Sequence, residues 1–343
     1  MEIIILNHEY EQKYDEYLLR DEKSLFFASN KYRLLLKKYL CCKDYYLLAV
    51  NNGEIIGVLP CFIKENNQYG NILNSLPYYG SNGAVIQHEN DRDIKNFLIN
   101  ALKKLCRDHN CVASTIITSP FETDFNFYKN RKYDFIDSRK GLITHLPKQS
   151  SNIEQDLFAI FDSKRRRNIK KAKRSDINIS VNNSIVSFEF LYEAHVHGMV
   201  QIGGKCKEKL FFDTIPTMLK NGIDYDIYIA EKDDKIIAAL LLFYFNKTVE
   251  YFTPVILDEY RTYQPLCLIV FQAMIDATIR GFEYFNWGGT GISQMGVYNF
   301  KKDFGATDYP YYYFTDIYDK SILSLSKETV LENYDNFFVF PFR

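Results

Sequence analysis

Apolar residues recur along this chain at two spacings, and the order in which the spacings alternate is the first clue to its fold. Met1 to Leu6 is a short apolar run that reads as a first strand. From residue 8 to 40 the apolar positions, among them Phe26, Phe27, Tyr32, Leu35, Leu36 and Leu40, fall at roughly helical intervals. A hairpin is expected next, with Tyr45–Val50 and Ile55–Pro60 as strands around Asn51-Asn52-Gly53. A glycine-bearing loop, Ser75 to Gly83, then feeds a strand at Ala84–Ile86. Asp93 to Asp108 places Ile94, Phe97, Leu98, Ala101, Leu102 and Leu105 on one helical face, and the β-branched run Val112–Thr118 reads as a strand.

The second half repeats this order. Val186–Leu219 is largely helical, and Tyr225–Ala230 pairs with Ile236–Phe245 across an Asp233-Asp234 turn. Thr248–Pro254 is a third strand. Pro265–Arg280 is a helix with proline in its first turn and Gly281 at its end. The strand Tyr284–Trp287 follows, then a Gly288-Gly289-Thr290-Gly291 turn, and then a short extended piece carrying Phe300, Lys301, Lys302 and Phe304. Such a repeat of elements predicts an α/β protein in two tandem domains, 1–145 and 146–343.

Between the two copies lies Ser163–Arg174, in which eight of twelve residues are basic and none is acidic. Ser163 can cap this helix, and Ile169 with Ala172 can face the protein. Like charges crowded on one helix repel unless an anion is present. The run therefore reads as a site for phosphate, pyrophosphate or an RNA backbone, with a solvated helix as the plain alternative.

Composition narrows the class. A length of 343 residues favours two domains. A hydrophobic share of 47% and a charged share of 25% are globular values. A net charge of -1 argues against a general nucleic-acid binder, which would be basic overall. No apolar run approaches the ~20 residues that span a bilayer. The first strand lacks the basic leader of a signal peptide. Seven scattered cysteines, odd in number, point to a cytoplasmic protein with reduced thiols. Cys106, His109 and Cys111 would point different ways on a helix, so no metal site is expected.

Four stretches in order resemble the FemABX-like proteins. They are Leu76-Pro77-Tyr78-Tyr79-Gly80-Ser81-Asn82-Gly83, the basic helix Arg166-Arg167-Asn168-Ile169-Lys170-Lys171-Ala172, the helix start Tyr263-Gln264-Pro265-Leu266, and Phe285–Thr290 with Tyr298–Gly305. That resemblance covers nearly the whole chain. It implies two GNAT-type acyltransferase folds in tandem, α/β domains of mixed sheets with a cleft between them, and amide formation on a cell-envelope precursor, such as a nucleotide-linked amino sugar or a muropeptide. The co-substrate would be acyl-CoA or aminoacyl-tRNA, with no permanently bound cofactor. The acceptor would be a small or nucleotide-linked molecule, with tRNA as a further partner and peripheral contact with lipid-linked precursors. Arg166 would lie near the acceptor's phosphates and Lys301 or Lys302 beside the reacting acyl group. Two departures matter. Glu259–Gln264 stands where a GNAT pyrophosphate signature would be, and the long helical arm of some tRNA-dependent relatives is missing.

Acyl transfer to an amine needs a proton acceptor, a stabilised oxyanion and two substrates held together. No Ser-His-Asp or Cys-His pattern is present, which favours direct attack over a covalent enzyme intermediate. Lys301 and Lys302 are the candidate catalytic cations, of which the Phe300 and Phe304 anchors should hold one inward. His195 is the candidate base, against the alternative of a structural histidine. Asp226, Glu250 and Tyr251 lie on predicted strands with nothing to choose between them. Candidate substrate contacts are Arg166, Arg167, Tyr78, Tyr79, Gly80, Ser81, Asn82, Gly288, Gly289, Thr290 and Tyr298. A non-catalytic RNA- or anion-binding protein on the same fold remains the alternative function.

Overall fold

The alternation of spacings becomes an alternation of helices and strands in the structure, a computed structural model that describes residues 1–40, 42–77, 91–291 and 294–342. In chain order, the elements up to the middle are β1 (Glu2–Ile5), α1 (Glu11–Leu19), α2 (Asn30–Leu40), β2 (Lys43–Asp44), β3 (Leu47–Asn51), β4 (Glu54–Leu59), β5 (Phe62–Lys64), β6 (Asn71–Asn74), α3 (Arg92–Asp108), β7 (Cys111–Ile117), α4 (Phe125–Lys129) and β8 (Phe135–His145). There follow α5 (Ile153–Ile160), α6 (Ser163–Lys173), β9 (Asn178–Val181), α7 (Ile185–Gln201), α8 (Lys209–Met218), β10 (Tyr225–Lys232), β11 (Lys235–Phe245), β12 (Thr248–Ile256), α9 (Pro265–Ile279), β13 (Tyr284–Thr290), α10 (Met295–Lys302), β14 (Thr307–Ile317) and α11 (Lys327–Asn333).

The chain forms two compact units, residues 1–140 with 309–343 and residues 141–308. This differs from a single break at 145/146, because the last 35 residues go with the first unit. The reason is strand pairing. Tyr313–Ile317 of β14 lie antiparallel to Ile117–Ala113 of β7, and a strand left without that ladder would bury unpaired amides. In the first unit β1, β3 and β4 form one small sheet, and β2, β5, β6, β7 and β14 follow one another in another. Its core gathers Leu98, Ile99 and Leu102 of α3 against Leu47, Leu59, Leu73 and Ile116.

The second unit carries the site. Its strands run in the order β13-β12-β11-β10-β9. The Asp233-Asp234 turn between β10 and β11 has positive φ at both residues, 52° and 59°, the conformation that tight hairpins require. Helix α9 is apolar almost all round, with Cys267, Leu268, Ile269, Val270 and Phe271 all buried, so it is a core helix and not a surface one. It packs with α5 and α6 on the sheet face that holds Val249, Phe285 and Trp287. Helices α7 and α8 take the other face, where Phe211 of α8 meets Phe252 of β12.

Two local expectations are corrected here. Gly288, Gly289 and Thr290 continue strand β13 and do not end it in a turn. Residues 295–302 are helix, not extended chain. The 297–302 run contains apolar residues close together, and its alternation is too short to separate the two periods. The expected strand Ala84–Ile86 lies outside the described residues, as do Tyr78, Tyr79, Gly80, Ser81 and Asn82.

Candidate functional site

The site begins where two parallel strands part. β12 pairs with β13 through Thr248↔Tyr284, Val249↔Phe285 and Glu250↔Asn286, and no further. Beyond that point β12 remains paired to β11 as far as Ile256. Two sequence features open the gap. A bulge in β12 after Tyr251 leaves Phe252 as an extra residue and turns the strand. Pro254 has no amide hydrogen to donate, and a strand tolerates it where one side is unpaired.

Glu250 and Asn286 sit side by side at the fork, each 1% exposed. Oε1 of Glu250 and Nδ2 of Asn286 have no hydrogen-bond partner among the described residues, while Asn286 Oδ1 accepts from the Gly288 amide at 3.0 Å. Burial pushes the Glu250 carboxyl well above the usual carboxylate range, and neighbouring Asn286 draws it partly back. A buried carboxyl with an idle oxygen is costly unless something is meant to meet it. Sequence alone did not single it out from Asp226 and Tyr251. Its partner Asn286 is 36 residues away, and only strand register brings the two together.

Lys301 comes from the other side of β13. It is 4% exposed, and its Nζ donates to Trp287 O at 2.9 Å, Gly289 O at 3.1 Å and Thr290 Oγ1 at 2.9 Å. Gly288 adopts φ 66°, which turns the Trp287 and Gly289 carbonyls toward one donor; a residue with Cβ would be strained there. Burial pulls the ammonium down to about 8. Each hydrogen bond from a charged donor contributes about 1.5–3 kcal/mol, so three of them offset a desolvation cost of several kcal/mol. The lysine therefore stays charged at neutral pH. Thr290, 6% exposed, accepts from Lys301 and keeps its own hydroxyl proton to offer elsewhere. Trp287, which carries one of the acceptors, is itself fixed by Nε1 donating to Thr144 Oγ1 at 2.9 Å.

Other candidate residues are placed differently. Lys302 faces solvent, 3.5 Å from Asp308. Tyr298 donates from its hydroxyl to the same carboxylate at 2.9 Å, so Tyr298 and Lys302 form a surface cluster apart from the buried lysine. His195 is buried against Phe212, and its Nε2 accepts from the Lys207 amide at 3.0 Å. Burial first, and then Lys207, lower its pKa to about 4. With its lone pair already taken, His195 holds the segment before α8 and is not poised as a base. Arg166 donates to Phe158 O at 3.2 Å, whereas Arg167 is exposed. The residue of the basic helix that reaches the end of α10 is Arg165, which is 3% exposed, ion-paired to Asp303 at 3.1 Å and set over the Phe300 ring at 4.2 Å. A helical count could have found it, because Arg165, Ile169 and Ala172 share one face. Among the described residues no group of three His, Cys, Asp or Glu side chains is arranged to hold a metal.

The strand fork, the buried carboxyl beside it and the caged lysine all lie on the stretch for which relatives can be found: residues 220–309 match the FemAB family. Over 97% of this chain and 99% of that one, the fold matches the crystal structure of FemX at a TM-score of 0.74 and 14% identity. Residues 220–309 thus resemble the FemAB family, and the fold resembles that of FemX. A tandem GNAT protein from the clavulanic acid biosynthesis pathway matches at a TM-score of 0.54 and 10% identity, covering 92% of this chain and 98% of that one. A C-terminal domain described as that of a lysylphosphatidylglycerol synthetase from Agrobacterium fabrum matches at 0.56 and 14%, covering 95% and 98%. No curated protein sequence matches. The fold is thus the tandem GNAT-like one, with a mixed α/β sheet. Within it, the buried carboxyl and lysine are set about the strand β13.

No helix among the described residues is long and apolar enough to cross a membrane.

Proposed function

We propose that this protein is an N-acyltransferase that moves an aminoacyl or other acyl group from an activated carrier to an amino group of a cell-envelope precursor. The ammonium of Lys301, caged by Trp287, Gly289 and Thr290 of β13, carries the reading. The acceptor amine attacks the carrier's carbonyl carbon, and the carbonyl electrons move onto oxygen. Lys301 supplies positive charge, and Thr290 offers a hydroxyl proton toward that oxygen. The oxyanion collapses, the amide bond remains, and the carrier leaves as an alcohol or thiol with a proton. Glu250, which burial favours in its neutral form, gives its proton to the departing oxygen or sulfur as its other oxygen takes the amine's proton, so the carboxyl ends the step as it began.

The start of α9 favours an ester carrier such as aminoacyl-tRNA over acyl-CoA. Pro265 contributes no amide hydrogen, and the Cys267 amide is already bonded to Gln264 O at 3.0 Å. Asn168 of α6 ties the Gln264 side chain at 2.9 Å. Few amides are left there to cradle a pyrophosphate. FemX and the synthetase domain share the fold, which agrees with envelope chemistry.

A second reading, an RNA-binding protein without catalysis, rests on α6. Lys164, Arg167, Lys170, Lys171 and Arg174 are exposed and form no ion pair among the described residues. Offering the protein acyl-CoA and aminoacyl-tRNA pools with amino-sugar nucleotides and muropeptide precursors, and reading products by mass, separates the two. An acceptor heavier by one aminoacyl residue, lost on ribonuclease treatment, is the expected result. Salt-sensitive RNA binding with no product from any donor would sink the enzyme reading.

A further inference from the structure

The geometry points to Arg165 as a positioning residue for the transfer step: it fixes the helix end that carries Lys301. This rests on the role proposed for Lys301. Helix α10 is short, and the carbonyls of its last turn need donors from outside. The Asp303 amide closes on Asn299 O, while those of Phe304 and Gly305 turn to Lys301 O and Lys302 O. Phe300 O is passed over. Arg165 Nη2 takes it at 3.3 Å and reaches Asp303 Oδ2 at 3.1 Å. Nη1 extends to Cys267 Sγ in the first turn of α9. The guanidinium lies 4.2 Å from the Phe300 ring centre and 4.6 Å from that of Phe304, the two rings that flank Lys301.

One planar fork therefore ties α6, α9 and the end of α10 together. The positive group also faces the negative end of the α10 dipole. A lysine at 165 could satisfy one of these acceptors but not hold all three, because an ammonium lacks the fixed fork. The backbone reinforces the tie, with the Asp162 amide donating to Asp303 O at 2.9 Å. Arg165 does not reach the reacting atoms itself. It acts by keeping Phe300 and Asp303 still, so that Lys301 stays inside its three-acceptor cage.

The test measures Lys301 directly. Competitive labelling of the full-length protein with acetic anhydride across pH, read by peptide mass, gives the Lys301 titration midpoint without any substrate. In Arg165→Met the cage should admit water. The midpoint should then rise by about one pH unit or more, and the plateau labelling rate reached above the midpoint should increase as the amine becomes accessible. Arg165→Lys should behave like Arg165→Met, and turnover in both should fall about 10–100-fold with KM within about threefold. A folded Arg165→Met with wild-type Lys301 labelling would overturn the proposal. Should that variant not fold, Asp303→Asn removes one tether only. A smaller shift in the same direction is expected, and wild-type labelling in folded Asp303→Asn overturns the proposal equally. Full turnover in Lys301→Met would instead sink the functional reading, and with it any part for Arg165 in catalysis, whatever the labelling shows.

Discussion

A single ammonium held by three acceptors makes opposite demands on activity and stability. Lys301→Met keeps the length of the side chain and removes its charge. It should lower turnover roughly 10²–10³-fold at saturating donor and acceptor while leaving affinity nearly unchanged, whereas Lys302→Met, on the exposed surface, should keep wild-type turnover. The titration adds a second signature. Burial brings Lys301 to about 8, below its unfolded value near ~10.4, so between these limits the unfolded chain binds more protons than the folded one. Stability contributed by this residue therefore rises with pH across that window, and turnover that needs the ammonium falls as pH passes about 8. Urea midpoints should climb with pH in the wild type and lose that part of the climb in Lys301→Met. Of these two lysines, the flanking Phe300 and Phe304 identify the inward one, since on a helix residues 300, 301 and 304 share a side. Arg165 and Glu250 were harder to read. Arg165 was hidden in a run of eight like charges, and Glu250 gains its meaning only from register with Asn286.

At the scale of elements, a close backbone approach joins the end of α5 to the end of α10. Gly305 has φ 75°, and a Cβ there would meet Ile160 O at 2.8 Å. Gly305→Ala should cost about 1–3 kcal/mol from backbone strain alone, seen as a lower urea midpoint. Because Asp303 lies two residues away, the same change should also lower turnover; normal activity in a destabilised protein would separate the turn from the site. Most helices and strands could be placed from periodicity, and the hairpins from their turns. The 295–302 segment could not, since two turns of helix offer too few positions to reveal a period. The strand fork was equally hidden, because parallel pairing between distant segments leaves no local mark on the sequence beyond a proline and a bulge.

The whole molecule has one unit made from two pieces of chain and one made from a single piece. Ending the chain at Asp308 should remove the β14 ladder on β7 and leave residues 1–140 open to protease, while 141–308 persists as a resistant fragment on a gel. Equal resistance of 1–140 with and without residues 309–343 would contradict the division. The repeated order of helices and strands announced two GNAT-like copies, but the return of the tail did not show, because nothing in Tyr309–Ile317 names its partner strand. That return also imposes a timetable on synthesis. Residues 1–140 leave the ribosome first, yet the strand that completes them follows about 170 residues later. At ~5–20 residues per second the wait is roughly 10–35 s. For that interval β7 has a bare edge in a growing cell, while the segment destined for the reaction is already folding behind it. The first part made is the last part finished, and its exposure to chaperones and to neighbouring nascent chains is set by the length of the unit inserted in between.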